Sequence, residues 1–186
     1  MYPNIFFDPD YIEVKDSGDI WLSKTPNEAG SKSFHSAFPR LCTWAKVLIK
    51  NKNKDFIFIN THLDHILSET RQSQIKVLIE ELNKINHDAL PIIICGDFNE
   101  SPTGLVRKEL MDSWTQIYDP WEKLNKKDIS TFHKFKGFLD LNKEGARIDW
   151  FLIDKSFICS NIEADQTHQE KVYPSDHFPI KLTFDC

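Results

Sequence analysis

A chain of 186 residues, 40% of them hydrophobic, can bury one sizeable core; this excludes a disordered chain and predicts one globular domain over residues 1–186. Its net charge of −5 argues against a protein held on nucleic acid by bulk electrostatics, while leaving room for a local basic rim that handles a phosphate substrate. No run approaches about 18 apolar residues, and Asp8, Asp10, Glu13, Asp16 and Asp19 stand where a signal segment would be basic and then apolar, so a cytoplasmic chain without stable membrane insertion is the default expectation.

In chain order, residues 5–7 and 11–14 read as short strands around an Asp8-Pro9-Asp10 turn, and Gly18 precedes a third at 20–22, which together suggest hairpins. Residues 25–38 form a long loop punctuated by Pro26, Gly30 and several serines, with Pro39 just beyond; a loop of that length usually reaches a site. Arg40 then opens a strand over 41–49, where Leu41, Thr43, Ala45, Val47 and Ile49 alternate with Trp44, Lys46 and Leu48. A polar turn at 51–55 leads into the buried strand 56–59, and the two strands are expected to pair antiparallel.

From 69 to 85 the period changes, with Ile75, Leu78, Ile79, Leu82 and Ile85 on one helical face, Ser68 as the expected N-cap and Glu69 in the first turn. That helix returns the chain to a strand at 92–95, making a strand-helix-strand unit. A shorter helix is expected over 103–111, and further strands over 148–153, 162–165 and 180–184, the last with Ile180, Leu182 and Phe184 inward. Cys42, Cys95, Cys159 and Cys186 show no Cys-x-x-Cys spacing and read as reduced packing residues.

The unusual polar residues collect at strand ends. Ile92-Ile-Ile-Cys95 runs through Gly96 into Asp97-Phe-Asn99, and strand alternation would place Asp97 and Asn99 on one side to grip a phosphate or a water, although a backbone-capping turn fits the same residues. Phe56-Ile-Phe-Ile59 runs into Asn60-Thr-His-Leu-Asp-His65, and Pro174-Ser-Asp-His177 immediately precedes the last strand. Asp149 stands among Ile148, Trp150, Phe151, Leu152 and Ile153, where a carboxylate is costly to bury unless paired, and His177 would satisfy it. Taken one at a time, His62, His65, Asp176 and Arg40 read more simply as turn, cap or edge residues; their joint occurrence at four strand ends points to a site.

Asn60-Thr-His-Leu, Gly96-Asp-Phe-Asn, Thr131-Phe-His, Arg147-Ile-Asp and Ser175-Asp-His, in that order, resemble the motifs of the endonuclease/exonuclease/phosphatase superfamily, the DNase I-like fold. Asp19-Ile-Trp-Leu-Ser-Lys-Thr-Pro26 and Pro39-Arg-Leu-Cys-Thr-Trp-Ala45 resemble its bacterial members, so the similarity spans nearly the whole chain. The resemblance implies an α/β fold, a four-layer α/β/β/α sandwich, and a metal-dependent phosphoesterase that hydrolyses phosphodiesters or phosphomonoesters with an activated water. By position, His177 resembles the imidazole acting at the scissile phosphate and Asp149 the carboxylate that orients it. Asp97 resembles the acid that positions or deprotonates water, Asn99 a phosphate-oxygen donor, His62 a second phosphate-contacting histidine and Asp176 a carboxylate close to the metal. Arg40 and His133 are implied substrate contacts. The implied ion is Mg²⁺ or Mn²⁺, since oxygen ligands with several waters suit them better than zinc.

Family members begin with a strand carrying an asparagine and a second carrying a metal-binding glutamate, and nothing before Ile5 matches either. The sandwich is therefore expected to be incomplete at the N-terminus, with loose metal binding and self-association through an uncovered sheet. An impaired remnant or interaction module of the same fold is the alternative. A metallo-β-lactamase-type dizinc hydrolase is a further one, because Asn60-Thr-His-Leu-Asp-His65 falls one ligand short of that signature. The substrate is open among nucleic acid, inositol phosphate and other small phosphoesters; Trp114, Trp121, Phe132, Phe135 and Phe138 could stack a base, line a lipid pocket or simply pack.

Overall fold

The computed structural model describes residues 2–137 and 147–186. Its strands are β1 (Ile12–Trp21), β2 (Leu41–Ile49), β3 (Lys54–His62), β4 (Ile92–Asp97), β5 (Ile117–Tyr118), β6 (Asp149–Asp154), β7 (Ile158–Ala164) and β8 (Ile180–Asp185). Its helices are α1 (Ser68–Ile85), α2 (Leu105–Ser113) and the short α3 (Pro120–Lys123). Six strands form one sheet in the order β1-β2-β3-β4-β6-β5, and β7 and β8 pair as a second. Only β3 and β4 run parallel, as a strand-helix-strand crossover through α1 requires; the other pairs are antiparallel.

Alternation along the central strands explains why both faces of the large sheet are covered. Ile57, Ile59, Ile92, Ile94, Trp150 and Leu152 point to the helical side, where Ile75, Leu78 and Leu82 of α1 and Val106 and Leu110 of α2 complete a core. Phe56, Ile93 and Ile153 point the other way, and Leu182 and Phe184 of β8 pack against that second core with Ile5, Ile12 and Val14. Such side chains contribute roughly 1.5–3 kcal/mol each on burial, so the continuous apolar runs of β3, β4 and β6 hold the sheet between two layers.

The early hairpins do not form. Residues 5–7 lie outside any strand, and the expected strands at 11–14 and 20–22 fuse into the single β1, which carries a register shift between Val14 and Asp16 and takes Gly18 into its middle opposite Trp44. Ser68 does not cap α1. Leu67 holds the N-cap position, and the Ser68 hydroxyl donates to Glu100 Oε1 at 3.2 Å. The second helix starts two residues later than expected because Glu100 reaches around to accept the Val106 N–H at 2.7 Å. β5 and α3 add to the expected elements, and Asp119-Pro120 is the start signal of the helix: the Asp119 carboxylate accepts from Trp121 N at 2.8 Å and Pro120 opens α3. Trp114 and Trp121 are buried in packing roles, whereas Phe138 lies outside the described residues. No helix among the described residues is long and apolar enough to cross a membrane.

Candidate active site

Sheet register builds the site. His62 ends β3, Asp97 ends β4 and Asp149 begins β6; His62 sits opposite Asp97 on one side, and Asp149 sits opposite Asp97 on the other. Three polar side chains from distant parts of the chain thus meet at one edge, with β4 in the middle. Gly96 permits this close approach: at φ +147° it lies where L side chains strain, and a Cβ there would fall 1.9 Å from the Thr61 carbonyl oxygen.

The fourth member comes from the other layer. His177 precedes β8, and its Nδ1 lies 2.8 Å from Asp149 Oδ2, the pairing expected from an acid set against an apolar strand. Asp149 is the first residue of that strand, so its carboxylate is half-buried at the mouth of the sheet. His177 Nε2 is 4.0 Å from Asp97 Oδ2, and His62 Nε2 is 3.4 Å from the same oxygen. Asp97, Asp149 and His177 line an open cleft of about 310 Å³ together with Asn60 and Ser175. Asn60 and Ser175 lie outside the expected site set, although Asn60 heads the Asn-Thr-His-Leu motif and Ser175 the Ser-Asp-His motif.

The surroundings set distinct protonation preferences. Burial, reinforced by the negative charge of Asp149, pushes Asp97 up to about 6. His62 is pulled down to about 4, first by burial and then by the positive charge of Arg40, so its imidazole is neutral at physiological pH. Burial works against protonation of His177, but the hydrogen bond and charge of Asp149, with Asp97 and Asp176 nearby, outweigh it and raise its pKa.

Asn99 is not placed by alternation. The chain turns left-handed there, at φ +50°; its N–H donates to Asp97 Oδ1 at 2.9 Å, and its Nδ2 donates to the Leu63 carbonyl at 3.0 Å. The turn that fitted the sequence equally well is therefore present, and it braces the Asp97 carboxylate. Arg40 is buried beside the cluster. One terminal nitrogen lies 3.2 Å from His65 Nδ1, and its Nε has no hydrogen-bond partner among the described residues. Burial lowers its pKa, and Asp64 and Asp97 act in the opposite sense.

Two candidates sit apart. His133 is buried in an aromatic cluster, stacked on Phe178 with centroids 4.0 Å apart and edge-on to Tyr173, and its Nδ1 accepts from Gly137 N. Asp176 contributes its backbone carbonyl to His133 N and Lys134 N, and it is not part of the group whose ligand atoms converge. That group is Asp97, Asp149 and His177, with one donor atom from each lying within 4.8 Å of the others. Two carboxylates facing each other, one resisting ionisation in part because of the other's charge, are a donor set that a hard divalent cation fits; His177 is already committed to Asp149.

The dizinc alternative does not survive the geometry. Both Asp64 oxygens are taken, by Ser36 Oγ and Ala37 N on one side and Ile66 N and Leu67 N on the other, so Asp64 organises loops and is not free to bind metal.

No family model matches the sequence, and no curated protein matches it. Solved structures do. A mannosyl-6-phosphatase of Bacteroides thetaiotaomicron VPI-5482 superposes with a TM-score of 0.82 at 27% identity, over 97% of this chain and 69% of that one. An endonuclease/exonuclease/phosphatase family protein of the same species superposes at 0.81, also at 27% identity, over 96% and 67%. This chain belongs to the endonuclease/exonuclease/phosphatase superfamily. The human Nocturnin catalytic domain shares the DNase I-like fold at a TM-score of 0.68 and 20% identity, over 95% of this chain and 62% of that one. The superfamily's mixed α/β, DNase I-like architecture is thus the fold of this chain.

Proposed function

We propose that this chain, acting as one endonuclease/exonuclease/phosphatase domain, hydrolyses phosphate monoesters of small molecules, with sugar phosphates the first class to try. The observation that carries the reading is the 2.8 Å Asp149–His177 pair aimed at Asp97 across 4.0 Å. Asp149 engages Nδ1 and leaves Nε2 toward the cleft, where it can donate to a phosphoryl oxygen. Asp97, with its pKa near 6, is ionised at neutral pH and basic enough to take a proton from a water held against the phosphorus. Neutral His62 contacts the phosphate by hydrogen bonding, and buried Arg40 adds positive charge beside the cluster. Asn99 keeps Asp97 in place. Asp97 and Asp149 would hold Mg²⁺ or Mn²⁺, which supplies Lewis-acid stabilisation of the charge that builds on phosphorus. Asp176 adds negative charge near His177.

The sugar-phosphate class follows from the mannosyl-6-phosphatase relative. A net charge of −5 disfavours a long polyanionic strand. The test is a panel of sugar phosphates, inositol phosphates, nucleotides and oligonucleotides, with and without Mg²⁺ or Mn²⁺. Release of phosphate from sugar phosphates, lowered at least about a hundredfold in Asp97→Asn and His177→Ala, supports the reading. A purified, folded chain that turns over none of the panel supports the impaired alternative, and full activity in Asp97→Asn removes the role given to that acid. With two carboxylates converging among the described residues, calorimetric titration should give a Mg²⁺ dissociation constant on the order of 10⁻³ M.

A further inference from the structure

The Asp149–His177 pair joins two segments that share no secondary-structure element, and a third segment outside the pair connects them. Thr131 is fully buried, and its hydroxyl oxygen accepts two successive backbone N–H groups, from Ile148 and Asp149, each at 3.1 Å. The peptide unit between Ile148 and Asp149 is therefore clamped on both sides: its N–H goes to Thr131 Oγ1, and its carbonyl accepts from Phe98 N at 2.9 Å. Phe98 is itself immobilised against the Trp150 ring, with centroids 3.4 Å apart and planes within 9°. The same threonine reaches the other half of the pair through its backbone. Its carbonyl accepts from Phe178 N at 2.8 Å, His133 N donates to the Asp176 carbonyl at 2.8 Å, and between these bonds Phe132 and His177 face each other as an antiparallel bridge. The Phe132 ring also lies against the His177 imidazole, 4.9 Å between centroids.

We infer that Thr131 is a positioning residue for the Asp149–His177 pair, its hydroxyl setting the Asp149 backbone while its carbonyl sets that of His177. A short strap fixing both partners removes the freedom that two separate segments would otherwise have, and a pair held at hydrogen-bond length depends on displacements well below 1 Å. Removing the hydroxyl while keeping the shape leaves two amides without their acceptor and loosens the carboxylate, but leaves the His177 side of the strap intact. As a role in catalysis this rests on the phosphoesterase reading; as a statement about the geometry of the pair it does not.

The test compares Thr131→Val, which removes the acceptor, with Thr131→Ser, which keeps it, and with Thr70→Val on α1 as a control that deletes a buried hydroxyl bonded to the Phe34 carbonyl. The readout is the tautomer of His177 at high pH, taken from the ring-nitrogen shifts detected through carbon-bound protons. In the wild type and in Thr131→Ser, Asp149 holds the proton on Nδ1. In Thr131→Val the two tautomers mix, and Thr70→Val stays as the wild type even if it loses as much stability. If Thr131→Val does not fold, Thr131→Ala, which gives water access to the two amides, carries the same expectation. A folded valine or alanine variant with the wild-type tautomer, or a folded serine variant that loses it, overturns the inference. On a phosphoester substrate, the valine variant should lose about tenfold in kcat with KM within about twofold, and serine should restore it. Absence of turnover in every variant including the wild type would count against the phosphoesterase reading, while the tautomer result still decides the role of Thr131.

Discussion

Asp97 pays in stability for its place at the centre of the site. Its folded pKa, raised to about 6 by burial and by Asp149, lies above its ordinary value of 3.8, so the folded state holds a proton that the unfolded chain has released. This group's contribution is full below pH 4 and is lost as pH rises through about 6. The shift bounds the cost at pH 7 at no more than about 3 kcal/mol. Asp97→Asn should therefore raise the melting temperature at pH 7–8 by several degrees while removing turnover. His62 has the opposite sign: its folded value near 4 lies below the ordinary 6.5, so its contribution is present above pH 6.5 and lost as pH falls toward 4. The two slopes oppose each other between pH 4 and 6. The excess melting temperature of Asp97→Asn over wild type should then grow with pH across that window, measured by thermal denaturation in a buffer series; a constant difference would show that Asp97 titrates like an ordinary carboxylate.

At the scale of elements, the site depends on one strand pair approaching more closely than side chains allow and on one buried ion network. Gly96→Ala would drive a Cβ to 1.9 Å from the Thr61 carbonyl at φ +147°, separating β4 from β3 where His62 and Asp97 face each other. It should cost more than about 4 kcal/mol and appear as loss of soluble, folded protein by circular dichroism. Behind β6, Asp119 accepts from Arg147 at 3.0 Å and Arg107 at 2.9 Å, with the Arg147 guanidinium lying over the Trp121 ring. Asp119 and Arg147 are both buried, so Asp119→Ala takes away the buried counter-charge of Arg147, leaves it only the half-exposed Asp128 carboxylate at 2.8 Å, and also uncaps α3. A loss of about 3–5 kcal/mol is expected in urea unfolding.

Across the whole molecule, the second sheet is where the fold is least covered. Among the described residues β8 pairs with β7 on one side only, and Phe6 is 91% exposed among other exposed apolar residues that include Phe7, Tyr11 and Ile158. A free strand edge near apolar surface favours association. Sedimentation velocity over a concentration series should show self-association, which Thr183→Pro, placed to block the β8 edge, should reduce. A strictly monomeric chain at high concentration would show that the edge is adequately protected by Lys181 and Asp185, which form ion pairs with Asp165 and Lys52.

The sequence by itself determined the elements whose signal is local and repeated. The 3.6 period of α1 and the apolar runs of β3, β4 and β6 define their own faces, and one boundary of each such run marks where Asp97, Asp149 and the residues after Ile59 emerge. The need of Asp149 for a partner was legible because the cost of burying a lone carboxylate does not depend on the fold. What only tertiary structure decided was everything set by register and by contacts distant in sequence. Gly18 reads locally as a turn, yet β2 runs alongside and makes one strand of it. Ser68 reads as a cap, yet Glu100, 32 residues away, takes its hydroxyl. Alternation put Asn99 beside Asp97, but the left-handed turn that braces Asp97 turned its amide toward Leu63. Asp176 and His177 are neighbours in sequence, and only the strap from Thr131 to His133 aims one at Asp149 while tying the other's carbonyl to backbone. Local periodicity can say which side chains must be buried; which polar groups then meet depends on strand register, and no single segment encodes that.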